Sequence, residues 1–570
     1  MNYILSALSL IGFYSFSEKI GYLNFNKKNN IIINFFVFSF VIFIIYIVNS
    51  YFFLFNLSSK FFSLVLFFGS LVFGILFLIL NYDKIYFFIK KNFLNKSITI
   101  SLISFFILSH LIPSDEDSIR YHLEIPQKII DGSFYNNHWF DYIVVGSNEF
   151  INLFGLHLGF TNTSGVLNFT YLFFIILSNN FFFKKKKIGS EAIGNFVILS
   201  CPYVIALIAS QKMYLLPCYI AAYSIAYLYI YKNQIFYKEI ILIISLNIFA
   251  VVTKPIFLPY LGVVVFYSLY ILKFDLKNKI YLLFFTFTIT IISYLPLGVI
   301  KYKIYGDPFL PILSINKLNF DWWNLYSKEV LTSSQMDFTD QLSDLYKVLL
   351  IPIKLIIPLQ IEDLFKTLGL GFFFIFFLEY KKNKNLFFLI LIFFFSTLIL
   401  NNYQSRWFFP LFLLICIFLS KTKFKILNNL PKYQFLVSLI VIIPFSLLTL
   451  IPGALDSKLF SQKNIIDTMN IKYNNQKYFS NLNSYFYQKN EIPVYITQKN
   501  ILIKYDPDFF KKKNEIKLFL YDEKDGHFNE FVKKNFLCGS YKIIEKFDYN
   551  TRRFFIFGKK QNVKLYKLLC

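Results

Sequence analysis

The sequence predicts a polytopic α-helical membrane protein of about 12 to 14 transmembrane helices, followed by a small soluble α/β domain at its C-terminal end. Three observations predict it. Of 570 residues, 56% are hydrophobic and 16% charged, whereas a soluble globular chain carries about 25% charged residues. Apolar runs of about 16 to 25 residues, long enough at about 1.5 Å per residue to cross a hydrocarbon core, recur down most of the chain. Lysine clusters open or close these runs at alternate ends, as in a multi-spanning chain with one lysine-rich, cytoplasmic face. Soluble, disordered and fibrous classes are excluded on this composition. The net charge of +25 sits mostly in those clusters, so it argues topology and not nucleic-acid binding. With 76 Phe and 41 Tyr, aromatic stripes are too general in this chain to carry functional information.

The first apolar stretch, Ile4 to Phe16, is short for a span and lacks a small-residue cleavage site, so an uncleaved helix or signal-anchor is expected there. Spans are expected near residues 31–50, 61–80, 97–113, 166–183, 193–210, 213–231, 239–253, 256–272, 280–300, 367–380, 385–400, 407–420 and 433–452. Lys184 to Lys187, four consecutive lysines, set the register, because that end should face the cytoplasm. Lys90 and Lys91, Lys232 and Lys238, Lys273 to Lys279, Lys381 to Lys384 and Lys421 to Lys425 then fall on the same side. Three polar segments are left outside: residues 114–165, 301–347 and everything from 453 to 570.

The first two are loops of a membrane domain over residues 1–452. The third, over 453–570, loses the long apolar runs and gains β-rich stretches at Ile492–Thr497, Ile501–Tyr505, Ile516–Tyr521, Tyr541–Phe547 and Arg553–Phe557, which read as an external α/β domain. Its excess of about ten positive charges opposes the usual bias, but the rule is counted over short loops, and long domains are translocated largely regardless of charge. Cys201, Cys218 and Cys416 lie in or beside apolar segments, leaving Cys538 and Cys570 as the one conceivable pair, and no CxxC metal-ligand spacing exists.

The first external segment is the densest in chemistry. Ser114-Asp115-Glu116-Asp117 precedes Ser118-Ile119-Arg120-Tyr121-His122-Leu123-Glu124. Ser114 followed by Asp117 has capping-box spacing, and acids in a first turn complement the helix dipole, so a helix from Asp115 to about Ile130 ended by Asp131-Gly132 accounts for them structurally. The functional alternative is an acid at the membrane surface serving as general base towards an acceptor hydroxyl or amine. On an α-helix Asp117, Arg120, Tyr121 and Glu124 share one face, which would carry a base, a cation and a hydrogen-bonding ring.

Asp117-x-x-x-Tyr121-His122-Leu123, then Asp131-Gly132-Ser133, then Gly146-Ser147-x-Glu149-Phe150 resembles the first-loop pattern of bacterial multi-spanning GT-C glycosyltransferases, relatives of the protein mannosyltransferases. Tyr305-Gly306-Asp307-Pro308-Phe309-Leu310-Pro311 resembles that family's G-N-P-x-x-P loop, and Ser405-Arg406-Trp407-x-x-Pro410 its R-Y-x-x-P helix start. The resemblance runs from about residue 97 to 420. It implies transfer of a sugar from a polyprenyl-phosphate or diphosphate carrier to a lipid, glycan or protein at the external face of a bacterial inner membrane. It also implies a catalytic acid among Asp115, Glu116 and Asp117, with spacing to Tyr121-His122-Leu123 favouring Asp117, and substrate contacts from Arg120, Tyr121, His122, Glu149 and Asp307.

Physical chemistry suits this donor class. Nucleotide sugars are made in the cytoplasm, so an external site needs a lipid-carried donor, and its leaving phosphate needs cations near the membrane surface. Arg120, Lys254 and Arg406 are the candidates; Lys254 and Arg406 stand at expected external span ends, where a lysine also snorkels and an arginine also anchors a helix. His110, His122, His138 and His157 are dispersed, so no cofactor is called for and no metal set is indicated. The rival classes are a transporter or lipid flippase with an external cap, and a polysaccharide polymerase or ligase. A transporter normally places ionisable residues inside its spans or breaks paired helices in two halves, whereas the acids here fall in expected external loops.

Overall fold

Runs of Leu, Ile and Phe form helices in a bilayer because hydrocarbon offers the backbone no partner but itself. The computed structural model describes residues 2–25, 30–92, 96–110, 118–132, 134, 145–188, 193–232, 234–271, 275–305, 307–309, 353–357, 367–369, 384–399, 405–419, 425–442, 465, 468–469, 471–473, 478–480, 494–495, 517–522, 540–551 and 559–569, with short gaps at 133 and 233. Its helices are α1 (Asn2–Phe25), α2 (Ile31–Leu54), α3 (Lys60–Asn92), α4 (Lys96–Ser109), α5 (Glu124–Ile130), α6 (Ser147–His157), α7 (Thr163–Lys186) and α8 (Ile193–Leu199). Then follow α9 (Pro202–Ile208), α10 (Leu215–Tyr231), α11 (Tyr237–Thr253), α12 (Leu258–Ile271), α13 (Leu276–Tyr305), α14 (Lys384–Ile399), α15 (Phe409–Phe418) and α16 (Lys425–Val437).

Among the described residues, four helices are long and apolar enough to cross a membrane, Ile31–Leu54, Lys60–Asn81, Thr163–Lys186 and Leu276–Ile304, and shorter apolar helices accompany them. The chain is a helical membrane protein with a small C-terminal sheet. It divides into two compact units: one of Met1–His110, Gly146–Leu313 and Ser334–Pro444, the other of Leu111–Val145, Ser314–Ser333 and Phe445–Cys570.

In the first unit α2, α7 and α10 form the interior. Phe35 and Phe174 stack at 3.9 Å between ring centroids and Tyr219 stacks on Tyr223 at 4.4 Å. The Tyr171 hydroxyl donates to Ser39 Oγ at 2.8 Å. Polar bonds of this kind act as glue between helices that lipid cannot drive together. By contrast α3 and α13 expose Phe61, Phe68, Ile79, Phe284 and Phe287, the outward faces of lipid-facing helices.

Three expectations are corrected. The first helix does not end near Phe16 but runs 24 residues to Phe25. It packs on α3 through small residues: Ser9 and Ser70 share a hydrogen bond of 2.5 Å, and a Cβ on Gly12 or Gly74 would run into the backbone of the other helix. The span expected over 193–210 is two short helices, α8 and α9, broken at Ser200-Cys201 because Pro202 has no N–H and excludes helical backbone before it. The second span continues past residue 80 to Asn92, through a kink at Asn81 (φ −125°, ψ 19°). The expected span 367–380 lies almost wholly outside the described residues.

The second unit holds a five-stranded sheet of β1 (Phe479–Ser480), β2 (Val494–Tyr495), β3 (Leu518–Asp522), β4 (Tyr541–Thr551) and β5 (Lys559–Leu568), in the order β2-β1-β3-β5-β4. The first three are parallel to one another, and β5 runs antiparallel to both β3 and β4. Leu518, Leu520, Val563 and Leu565 pack on Met469 and Tyr478 from one face. The stretches Ile501–Tyr505 and Arg553–Phe557 lie outside the described residues.

Candidate functional site

Within the first unit, four segments distant in sequence meet at helix ends. α6 starts at Ser147, and Glu149 in its first turn reaches back to accept the Gly146 N–H at 2.7 Å, half of a capping box and a favourable charge at a helix N-terminus. Ser147 Oγ lies 2.8 Å from Thr253 Oγ1, at the last residue of α11. The next residue, Lys254, takes extended backbone (φ −153°, ψ 123°), as a residue before proline must. Its ammonium sits 5.5 Å from the centre of the Tyr214 ring and 5.6 Å from that of Trp407, cation–π distances. Trp407 belongs to the 3₁₀ turn Ser405–Phe408 that leads into α15.

The fourth segment is the end of α13. Lys301 is 6% exposed there and is attracted by the carboxylate of Glu149, itself 1% exposed. Beyond the helix, buried Asp307 accepts the Phe309 N–H on Oδ1 at 2.8 Å, an Asx-turn. Tyr294 Oη donates to the Pro308 carbonyl at 2.9 Å. Both bonds hold Asp307–Phe309 beside the helix that precedes it.

Behind this cluster the non-helical stretch Ser210–Tyr214 is clamped by side chains from α6 and α7. Asn168 donates to the Leu207 and Lys212 carbonyls, both at 2.8 Å, and accepts the Tyr214 and Leu215 N–H groups, both at 3.1 Å. Asn148 donates to the Gln211 carbonyl at 3.0 Å, and Gln211 Oε1 accepts the Ser164 N–H at 3.0 Å. Ser164 Oγ stands 2.8 Å from Asn148 Oδ1 and 2.6 Å from Asn152 Oδ1. The network fixes the backbone that carries the Tyr214 ring beneath Lys254.

Of the predicted residues, Glu149 and Lys254 therefore belong to one linked set in the first unit, with Arg406 on the turn that carries Trp407 and Asp307 in the turn that follows α13. Asp115, Glu116 and Asp117 lie outside the described residues. Arg120, Tyr121 and His122 are in the second unit, on a π-helical turn, Ser118–Leu123. That turn corrects the shared-face argument: its i→i+5 bonding removes the 3.6-residue period by which positions three and four apart line up. Glu124 is instead paired with Lys128 at 2.7 Å along α5. The helix stops at Asp131-Gly132, where Gly132 takes φ +70°, as a C-terminal glycine permits.

Sequence reasoning missed Lys301 and the Ser210–Tyr214 clamp. The signals were present: a lysine, with Lys303 two residues on, at an expected external span end, and Ser210-Gln211-Lys212 between two apolar runs. Chemically the described set offers two cations at helix ends, Lys254 beside the Tyr214 and Trp407 rings and the buried Lys301, while Glu149 and Asp307 each accept a backbone N–H. Compared with family models, curated proteins and solved structures, the chain finds no match in any of the three.

Proposed function

We propose that the chain is a glycosyltransferase of the GT-C kind, moving a sugar from a polyprenyl-phosphate or diphosphate carrier to a lipid, glycan or protein acceptor at the external membrane face. The observation that carries this reading is the meeting of Lys254 with Trp407. Lys254, chosen from sequence as a phosphate partner, and Trp407, next in sequence to the chosen Arg406, come from segments roughly 150 residues apart and still adjoin. Lys301 adds a second cation, a buried one, to the same linked set. A lipid phosphate arriving from the bilayer meets such a cluster at the helix ends, where a low local dielectric strengthens each charge-assisted bond. The chain's own residues would hold the donor phosphate while an acid of the first external segment, Asp117 by spacing, takes the proton of the acceptor nucleophile. No cofactor enters this reading.

The test is sugar transfer by the purified full chain, using a mixed polyprenyl-phosphate-sugar extract as donor and mass spectrometry of envelope glycolipids and glycoproteins as readout. Asp117→Asn keeps side-chain size and capping ability, so it should fold yet lose about 10² to 10⁴ in turnover. Ser114→Ala, which removes only a cap, should stay active, and Asp115→Asn tells whether the base is two residues earlier. Parent-rate transfer by all three variants would remove the catalytic acid from the proposal.

One observation favours a transporter: the break between α8 and α9 within a predicted span. Its freed groups are, however, taken up by protein. Tyr203 N–H donates to the Thr367 carbonyl at 3.3 Å, Ser438 Oγ to the Ser200 carbonyl at 3.2 Å and Gln434 Nε2 to Ser200 Oγ at 2.9 Å. A broken helix that coordinates a transported ion leaves such groups to the ion. Uptake of labelled substrate into vesicles without sugar transfer would reverse the choice.

A further inference from the structure

Between α10, α12 and α14 the first unit carries an apolar groove of about 210 Å³, lined by Ile225, Leu228, Tyr229, Val263, Tyr267 and Leu389. That space admits a run of methylene groups but no helix, which is about 10 to 12 Å across. Its surroundings face outward: Phe266, Tyr270 and Phe388 are exposed, and a Cβ on Gly262 would meet nothing within 4 Å. In a helical membrane protein such a surface is covered by lipid. One turn of α12 nearer Lys254, the buried Tyr260 ring stacks on Phe393 at 4.2 Å, so the groove is distinct from the cation cluster.

Two polar atoms interrupt this apolar wall. Tyr229 and Tyr267 are half-buried and close enough to interact electrostatically, yet among the described residues neither hydroxyl makes a hydrogen bond. By contrast Tyr171 and Tyr223, in the interior of the same unit, both donate to oxygen. A tyrosine hydroxyl turned towards hydrocarbon needs a partner. Side chains on a helix lean towards its N-terminus, so both hydroxyls stand about one to two turns inside the α10 and α12 ends at Tyr231 and Ile271. Lys232, next after α10, marks the headgroup level. The hydroxyls are therefore deeper than lipid phosphates, where ester groups join their acyl chains.

We propose that this groove holds one acyl chain of an ester-linked phospholipid, with the lipid's ester carbonyls accepting hydrogen bonds from Tyr229 and Tyr267. The apolar wall receives the chain and the two hydroxyls fix its depth. A polyprenyl chain would fill the same space but brings no acceptor to that level, so it would leave both hydroxyls unpaired. The lipid is already present at high local concentration around an embedded chain, and the site needs only modest affinity to stay filled. This inference is independent of the transferase reading.

The experiment is native mass spectrometry of the full chain in detergent, incubated with phosphatidylglycerol whose two chains are either ester-linked or ether-linked. Val263→Trp, which fills the groove, identifies the adduct that belongs to it. In the parent that adduct should form with the ester lipid and bind the ether analogue at least about fivefold more weakly, the loss of one to two hydrogen bonds. Tyr229→Phe with Tyr267→Phe removes only hydroxyls that hold nothing within the chain, so it should fold normally and bind both lipids equally weakly. A diazirine on the acyl chain of the ester lipid should crosslink the parent on α12 and α14, which keeps the test valid if Val263→Trp misfolds. Equal binding of ester and ether lipids by the parent, or crosslinks that avoid both helices, overturns the proposal. So does displacement of the adduct by equimolar polyprenyl phosphate, which would assign the groove to an isoprenoid chain.

Discussion

A lysine at the C-terminal end of a helix, with an aromatic ring on two sides, is held by the helix dipole and by ring quadrupoles together. Lys254 is so placed over Tyr214 and Trp407, and its structural and functional roles separate by measurement. If it only braces the two rings, Lys254→Gln costs about 0.5 to 2 kcal/mol of stability and leaves transfer intact. If it binds the donor phosphate, Lys254→Gln should lower kcat/KM for the lipid donor at least about tenfold with little change in melting temperature. The loss should fall mainly on KM where the interaction is equal in ground and transition states. His157 offers a pH test on a different side of the unit. It shares a 2.9 Å hydrogen bond with Ser59, and burial first, then the nearby Lys60 charge, hold its pKa below the usual histidine value. Its unfolded imidazole, near about 6.5, therefore takes up a proton before the folded one does. Stability is unaffected above that pH and falls as pH drops below it. The melting temperature in detergent should decline more for the parent than for His157→Gln between pH 8 and pH 5.5, and equal declines would place the pH dependence on other groups.

Helix positions were largely legible because a span announces itself by length and apolarity, both local properties of the sequence. What local pattern does not encode is where a helix must give way to satisfy the backbone. Pro202 was visible, but the partners that make the break tolerable, Thr367, Gln434 and Ser438, lie far along the chain. The π-helical turn at Ser118–Leu123 likewise keeps a helical composition while losing the 3.6-residue period. Strand β5 escaped notice because lysines interrupt its inward Val563 and Leu565, so its apolar signal is too thin to stand out. The clamp on Ser210–Tyr214 shows the same long-range dependence at the candidate site. Asn168→Leu would strip the partner from the Lys212 carbonyl and from the Tyr214 and Leu215 N–H groups, while the Leu207 carbonyl keeps its bonds from Ser210. Each buried group left unpaired costs roughly 1 to 3 kcal/mol, so the substitution should destabilise by about 3 kcal/mol or more. Ser39→Ala, which removes one bond to Tyr171, should cost about 1 kcal/mol. Similar losses in denaturant or thermal unfolding of the two variants would mean that the loop finds other partners.

Parity of membrane crossings links the two units to the charge pattern. Leu111–Val145, Ser314–Ser333 and Phe445–Cys570 form one compact unit, and segments of one such unit must lie on the same side of a bilayer. The chain must then cross an even number of times between consecutive segments. The span assignment gives six crossings between the first pair, from 166–183 to 280–300, and four between the second, from 367–380 to 433–452. The lysine clusters independently put the opposite ends of those spans in the cytoplasm. Accessibility labelling in intact cells tests both arguments at once. Cys201, Cys218 and Cys416 are buried and silent to a polar maleimide, so replacing Cys538 and Cys570 by serine gives a clean background. Asp525→Cys should label in intact cells, and Lys185→Cys only after permeabilisation. Reversal of both would invert the orientation while keeping the crossing count, and would remove the reason for a lipid-carried donor. Labelling of both positions in intact cells would break the parity itself, and with it the assignment of at least one span between Lys186 and Phe445.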